Sequence, residues 1–269
     1  MLVSQGIEVE IHRSSDGLGT DLRVASIDHP RALLSIQKYQ EENRHRRWQQ
    51  RIPRGGLLYD WQCVGWLALN AILYGLQSAP GSPLARQGDF NSLAVRSGEW
   101  WRAVTATGLH ADSRHLVSNL MIGVVFLGLA MASYGAGVAL LAVTLCGAAA
   151  NALGLWLHAG PYHGLGASGV VMASLGMLSL RAFRLEDWKA NPNLTALRGF
   201  VCAVFLLILF GFNPESDVGV HLLGFVLGAL AGVLLSPFAD RSQLQARWDL
   251  PAKLLFAAGV SGSWWMALR

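Results

Sequence analysis

The 269-residue chain is 52% hydrophobic and only 14% charged, with a mean hydropathy of +0.36. A soluble domain carries about 25% charged residues, and the deficit here comes from long apolar runs, which excludes an ordinary soluble core and points to a polytopic membrane protein. The net charge of +4 does not call for nucleic acid as a partner, because the basic residues sit beside apolar spans, where the positive-inside rule accounts for them.

The chain start, MLVSQGIEVEIHR, lacks a basic region followed by an apolar one, so no cleaved signal peptide is expected. Residues 1–53 are polar and read as an extramembrane, cytoplasmic segment. GIEVEIH and DLRVASI alternate like short strands, and HPRALLSIQKYQEENRHR has helical spacing, giving a small β-β-α unit. Apolar runs follow at 58–78, 115–133, 136–157, 166–183, 197–212 and 218–237, with a weaker seventh at 254–268 after a cytoplasmic linker from 238. A bilayer core of about 30 Å needs about 20 apolar residues per helix. The fold class is therefore all-α, with six spans and a seventh left open. Cys63, Cys146 and Cys202 each fall inside an apolar run, with spacing that fits neither zinc nor a disulfide framework, and read as buried structural thiols.

Orientation follows from Lys and Arg. Arg44, Arg46, Arg47, Arg51 and Arg54 precede the first span; Arg181, Arg184, Lys189 and Arg198 accompany the fourth loop; Arg241, Arg247 and Lys253 follow the sixth span. If spans alternate, these three segments share one side, the cytoplasmic one. The long 79–114 loop holds the paired Trp100 and Trp101. It reads either as an interfacial segment with Trp at headgroup depth or as an ordinary folded loop.

Polar groups inside spans are costly and mark function. His115 and Asn119 open the second span, Ser168 the fourth and His221 the sixth. Even-numbered spans run the same way, so their starts share one membrane face. At about 1.5 Å per residue, Ser168 and His221 lie within roughly 5–10 Å of that face. His115 and Asn119, four apart, stack on one side of their helix. All four groups therefore meet at one depth, opposite the cytoplasm. A serine hydroxyl with a neutral imidazole to take its proton is an activated nucleophile. The N–H groups at the helix start, with Asn119 and His115, are suitable donors to an oxyanion. No carboxylate lies inside those three spans, so the site reads as a Ser–His dyad. Asp217 reads as a helix N-cap rather than a third catalytic member. Ser174 and Ser179 read as bonded to backbone carbonyls, and Asn70 and Asn151 as interhelical hydrogen-bonders. A transporter would place such groups at the bilayer centre on broken helices, which this distribution disfavours.

At these residues the chain resembles the rhomboid family of intramembrane serine proteases. Gly166-Ala167-Ser168-Gly169 opens span four, and HLLGFVLG runs from His221 through Gly224 to Gly228 in span six. Upstream lie Trp101-Arg102, His110 and HLVSN from His115 to Asn119. The resemblance extends over residues 57–237, which it implies to be the six-helix protease core. The resemblance implies Ser168 as nucleophile, His221 as general base, and an oxyanion hole from the Ser168 N–H, His115 and Asn119. Gly166 would admit the substrate backbone, while Gly224 and Gly228 form a small-residue face that packs span six on span four. His110 would be structural. The family commonly has Tyr four residues after the nucleophile; this chain has Met172, a less rigid partner for an imidazole. The implied reaction cuts transmembrane segments of other membrane proteins near the outer face, in a plasma or inner membrane, with no cofactor and no metal. The alternative is a rhomboid-like pseudoprotease that binds transmembrane clients without cutting, though inactive relatives usually lose the Ser or His that this chain retains.

Overall fold

The structure, a computed structural model, describes residues 2–13, 20–43, 59–179, 192–211, 217–238 and 242–269. Its contacts divide it into two units, Met1–Gly56 and Leu57–Arg269. In the first, β1 (Val9–Arg13) and β2 (Thr20–Val24) pair antiparallel with Ile11 opposite Leu22, and α1 (His29–Asn43) follows. Leu2, Ile7 and Ala32 are buried there, with Val9, Val24 and Ile36 packed against them. Ala32 and Ile36, four apart, present one helix face to that small core.

The second unit is helical, with α2 (Cys63–Gln77), α3 (Leu84–Gly88), α4 (Ser92–Arg96) and α5 (Arg102–Thr105). The longer helices follow: α6 (Ser113–Tyr134), α7 (Ala136–Leu153), α8 (Ser168–Ser179), α9 (Pro192–Gly211), α10 (Val218–Leu234) and α11 (Ser242–Ala267). Two short strands, β3 (Phe90–Asn91) and β4 (His163–Gly164), pair antiparallel. The expected spans at 115–133, 136–157 and 218–237 coincide with α6, with α7 and its 3-10 extension, and with α10. The ends of those expected at 58–78, 166–183 and 197–212 lie outside the described residues, as do Arg44 to Arg54, Arg181 to Lys189 and Arg241. Ser113–Tyr134 and Ala136–Trp156 are long and apolar enough to cross a membrane, while Cys63–Gln77, Ser168–Ser179, Val201–Phe210 and Val218–Leu234 are apolar but shorter.

The outer faces of these helices are apolar as well. Val117, Met121 and Val125 on α6, Val201, Phe205, Ile208 and Leu209 on α9, and Leu222, Val226, Leu230 and Val233 on α10 are all exposed. Stripes of that kind are rare on a soluble monomer and cost nothing against lipid tails. Cys202 lies on this outer surface, Cys146 is half-buried, and Cys63 alone is fully buried. The expectation of three buried thiols thus holds for one, because an apolar run in a bundle has an outward face too.

The interior is organised by α8, a mostly buried helix lying between α6, α7 and α10. Its contact with α10 is backbone to backbone. A methyl group at Gly228 would collide with the Ala173 carbonyl, and one at Gly176 with the Phe225 carbonyl. At Gly224 it would come within 2.7 Å of the Gly169 carbonyl oxygen. The Tyr134 hydroxyl closes the far end, donating to the Met177 carbonyl at 3.0 Å.

The 79–114 segment is folded rather than extended. Arg102 braces it, donating to Asp89 Oδ1 at 2.8 Å, to the Asp89 carbonyl at 2.9 Å and to Glu99 at 2.6 Å. The side-chain amide of Gln77 clasps the His110 backbone, donating to its carbonyl at 2.7 Å and accepting its N–H at 3.1 Å. The His110 ring is fully buried, and its pKa is pushed down to about 4, chiefly by burial and then by His115.

Helix α11 runs unbroken from Ser242 through Pro251, so from Ser242 on the stretch expected as a linker is helical, while residues 239–241 lie outside the described residues. Gln245 donates to the Ser133 carbonyl at 3.1 Å, and Asp249 accepts the Gly137 N–H at 2.7 Å. Nearer its other end, Trp264 rests against Gly88. The helix therefore follows α7 from the α6–α7 turn to the 79–114 segment. Lys253, on the same helix, bridges Asp249 and Gln62 at 2.5 Å each.

Two outcomes check this packing. Gly228→Leu should lower the unfolding midpoint in detergent by several degrees, because overpacking costs about 1–3 kcal/mol; Gly262→Ala, with open space around it, should not lower it. A histidine buried neutral stabilises the fold fully above its unfolded value of about 6.5 and loses that contribution as pH falls. Between pH 6.5 and about 4 the protein should therefore lose stability on the order of 3 kcal/mol, and His110→Phe should flatten that acid slope in a melting series.

Candidate active site

Ser168 is the first residue of α8, and its approach is set by Gly166, whose φ of +136° suits glycine. The Gly166 N–H donates to the Ala106 carbonyl at 2.9 Å, which ties the turn to the segment before α6. A Cβ on Gly166 would lie 2.8 Å from His115 Nε2 and 3.7 Å from Ser168 Oγ. Both groups therefore sit within a few ångströms of the same empty position. Only glycine leaves that position open.

His221 stands at the start of α10 and is 5% exposed. Asp217 caps that helix, accepting the Val220 N–H at 3.0 Å on its side chain and the His221 N–H at 3.0 Å on its carbonyl. The N-cap reading of Asp217 is what the geometry displays. Asp112 plays the same part for α6, accepting the His115 N–H at 2.8 Å, and that bond holds its carboxyl below the usual range.

Ser168, His221, His115 and Gly166 line one cavity of about 540 Å³, together with Asp112, Arg114, Ser118 and Asn151, and with Phe90, Tyr162, His163 and Asp217. Three helix starts, those of α6, α8 and α10, thus converge at one end of the bundle. Asn119 is not on the cavity wall. It lies one turn below His115, 6% exposed, and its amide nitrogen has no hydrogen-bond partner among the described residues. Gly224 and Gly228 lie deeper, in the α8–α10 contact. Met172 is buried at 2% exposure within the main apolar cluster.

The remaining polar residues take structural parts. Ser174 and Ser179 donate to the Val170 and Gly176 carbonyls at 3.0 and 2.6 Å. Asn151 reaches across to the Ala103 carbonyl at 3.0 Å, whereas Asn70 bonds the Trp66 carbonyl of its own helix at 2.9 Å. Among the described residues no three His, Cys, Asp or Glu side chains are grouped as metal ligands.

Sequence reasoning missed the wall that faces the helices. Ser92 accepts the Tyr162 N–H on its hydroxyl at 2.9 Å and donates its own N–H to the Tyr162 carbonyl at 3.1 Å. Asp89 holds His163 Nδ1 at 2.6 Å while also pairing with Arg102. These contacts join the segment before Ser168 to the 79–114 segment. Tyr162 is pushed up to about 12, first by burial and then by Asp217, so its hydroxyl stays a neutral donor. Strands β3 and β4 are two residues long each, too short for a periodic signal.

The family model for the rhomboid domain matches residues 97–238, a stretch that contains every residue named above as lining the cavity except Phe90. No curated protein matches the chain. The matched stretch is just over half of the sequence and takes in α5 to α10. This chain is an integral membrane protein and belongs to the rhomboid family.

Proposed function

We propose that the chain is an intramembrane serine endopeptidase that cuts transmembrane segments of other membrane proteins near the outer membrane face. The observation that carries this reading is the shared cavity of Ser168, His221 and His115, assembled from the starts of three different helices. The helices α2, α6, α7, α8, α9 and α10 form the six spans of the protease core, α11 a seventh, and residues 1–53 a segment on the cytoplasmic side of a plasma or inner membrane.

The chemistry follows from the groups present. Ser168 Oγ attacks the scissile carbonyl carbon while His221 takes its proton, and the carbonyl oxygen becomes an oxyanion. The Ser168 N–H at the start of α8 and the His115 imidazole donate to that oxygen, with the unpartnered Asn119 amide as a third donor. His221 then returns the proton to the leaving amine as the C–N bond breaks. Water, deprotonated by His221, hydrolyses the acyl-enzyme and restores Ser168. The open position beside Gly166 gives the substrate backbone room to reach Oγ. A helical substrate hides its carbonyls in its own hydrogen bonds, so it must unwind locally before it fits. Small residues at the cut and helix breakers nearby are the substrates this favours.

The test uses the purified full chain in detergent, a labelled transmembrane substrate and a serine-reactive fluorophosphonate probe. Wild type should cleave and label. Ser168→Ala should do neither, His221→Ala should lose on the order of 10³-fold or more in rate, and Asn119→Ala about 10²–10³-fold. Equal substrate binding by all variants with no cleavage or labelling in any of them would replace this reading with that of a client-binding pseudoprotease.

A further inference from the structure

Two side chains outside the proposed dyad and oxyanion hole, His158 and Tyr162, connect the segments that carry the two reacting groups. His158 lies past the end of α7, just beyond the 3-10 turn Gly154–Trp156. Its Nδ1 is 3.0 Å from the Gly154 carbonyl oxygen, and its Nε2 is 3.2 Å from the Asp217 carboxylate. Both oxygens are acceptors, so either neutral tautomer donates to one of them and the imidazolium donates to both. The ring stacks on Tyr162 at 3.9 Å between centroids and 23° between planes.

The surrounding contacts leave little slack. A Cβ on Gly154 would come within 2.6 Å of the Tyr162 hydroxyl oxygen and 3.1 Å of Val220 Cγ2. A Cβ on Gly219 would come within 2.8 Å of Leu157 Cδ1. The first turn of α10 is therefore seated directly on the 154–158 segment. From there two arms lead to the chemistry. Asp217, held by His158, accepts the N–H of His221 on its carbonyl. Tyr162, anchored by Ser92 on its backbone and donating to the Asn151 carbonyl at 3.3 Å, begins the short segment that ends in Gly166 and Ser168.

We propose that His158 and Tyr162 are positioning residues: their stack fixes the start of α10, and with it the His221 ring, against the segment leading into Ser168. This rests on the Ser168–His221 reading above. A small displacement of a general base is expensive in rate, because proton transfer needs hydrogen-bond reach. A residue that only stabilised the fold would change the melting midpoint instead.

The test compares His158→Ala, His158→Gln, Tyr162→Leu, Tyr162→Phe and the His158→Ala/Tyr162→Leu double variant, each as full chain in detergent. The readouts are the rate of fluorophosphonate labelling at Ser168, kcat and KM on the labelled transmembrane substrate, and the unfolding midpoint. His158→Ala and Tyr162→Leu should each label and turn over about tenfold more slowly, with KM unchanged and the midpoint within a few degrees. Tyr162→Phe, which keeps the stacked face and loses only the hydroxyl's bond to the Asn151 carbonyl, should lose clearly less rate than Tyr162→Leu, and His158→Gln, which keeps a donor for Asp217, should recover part of the rate. The double variant should be no slower than the slower single one, as expected for two parts of one unit. Wild-type labelling rates in both His158→Ala and Tyr162→Leu, a loss confined to KM, or a loss that follows the midpoint would overturn the proposal. Should His158→Ala fail to fold, the contrast between Tyr162→Leu and Tyr162→Phe decides. A wild type that neither labels nor cleaves would instead overturn the dyad reading itself.

Discussion

Helices α8 and α10 touch through their backbones, and nearly everything else in the second unit follows from that distance. Ala173 and Phe225 present carbonyls where any side chain at Gly228 or Gly176 would stand. In a membrane this contact is not driven by excluding water, since lipid tails are as apolar as the helix faces; it rests on close van der Waals fit. Small residues on both partners are the means of that fit. Because the two helices start at the same end of the bundle, bringing their axes together also brings Ser168 and His221 to one cavity. A wider spacing would leave two polar side chains in apolar surroundings with no common site.

The cavity has a second wall that is not built from long helices. The 79–114 segment folds back on itself around Arg102 and presents Phe90 and Asn91 to Gly164 and His163. It is held at three places: by Gln77 at His110, by Asn151 at Ala103, and through its own Ser92, whose hydroxyl accepts the Tyr162 N–H. Each is a side chain satisfying backbone groups, which is what irregular backbone requires where water is scarce. The cavity end of the bundle is thus bounded by helix starts on one side and a braced, irregular segment on the other.

How much of this the sequence displayed depends on range. The apolar runs gave α6, α7 and α10 to within a few residues, because length and hydropathy are local properties. The convergence of Ser168, His221 and His115 was legible too, since it needs only the parity of span directions. Asn119 shares a helix face with His115, but spacing alone did not place it a turn below the cavity wall. Gln77, Asp112, Ser92 and Tyr162 carried no signal, because their roles depend on partners up to seventy residues away or on the last residue before a helix. Cys202 was misjudged for a related reason: hydropathy identifies a span but not which side of it faces the interior. The amphipathic start of α11 hid the helix for the opposite reason, since Gln245, Asp249 and Lys253 look like a polar linker until their partners on α6 and α7 and at Gln62, just before α2, are known.

Those partners carry a consequence for biosynthesis. Helices α6 and α7 are joined by the single residue Gly135, and the carbonyl of Ser133 and the N–H of Gly137 at that turn are met by Gln245 and Asp249, each 112 residues further along the chain. At about 5–20 residues per second, roughly 6–22 s of synthesis separates the hairpin from the side chains that complete it. During that interval the turn must find its hydrogen bonds elsewhere, in water or headgroups at the membrane surface. Helix α11 is therefore made well after the α6–α7 hairpin it seals, and that turn reaches its final set of bonds only once the chain has been synthesised through Asp249.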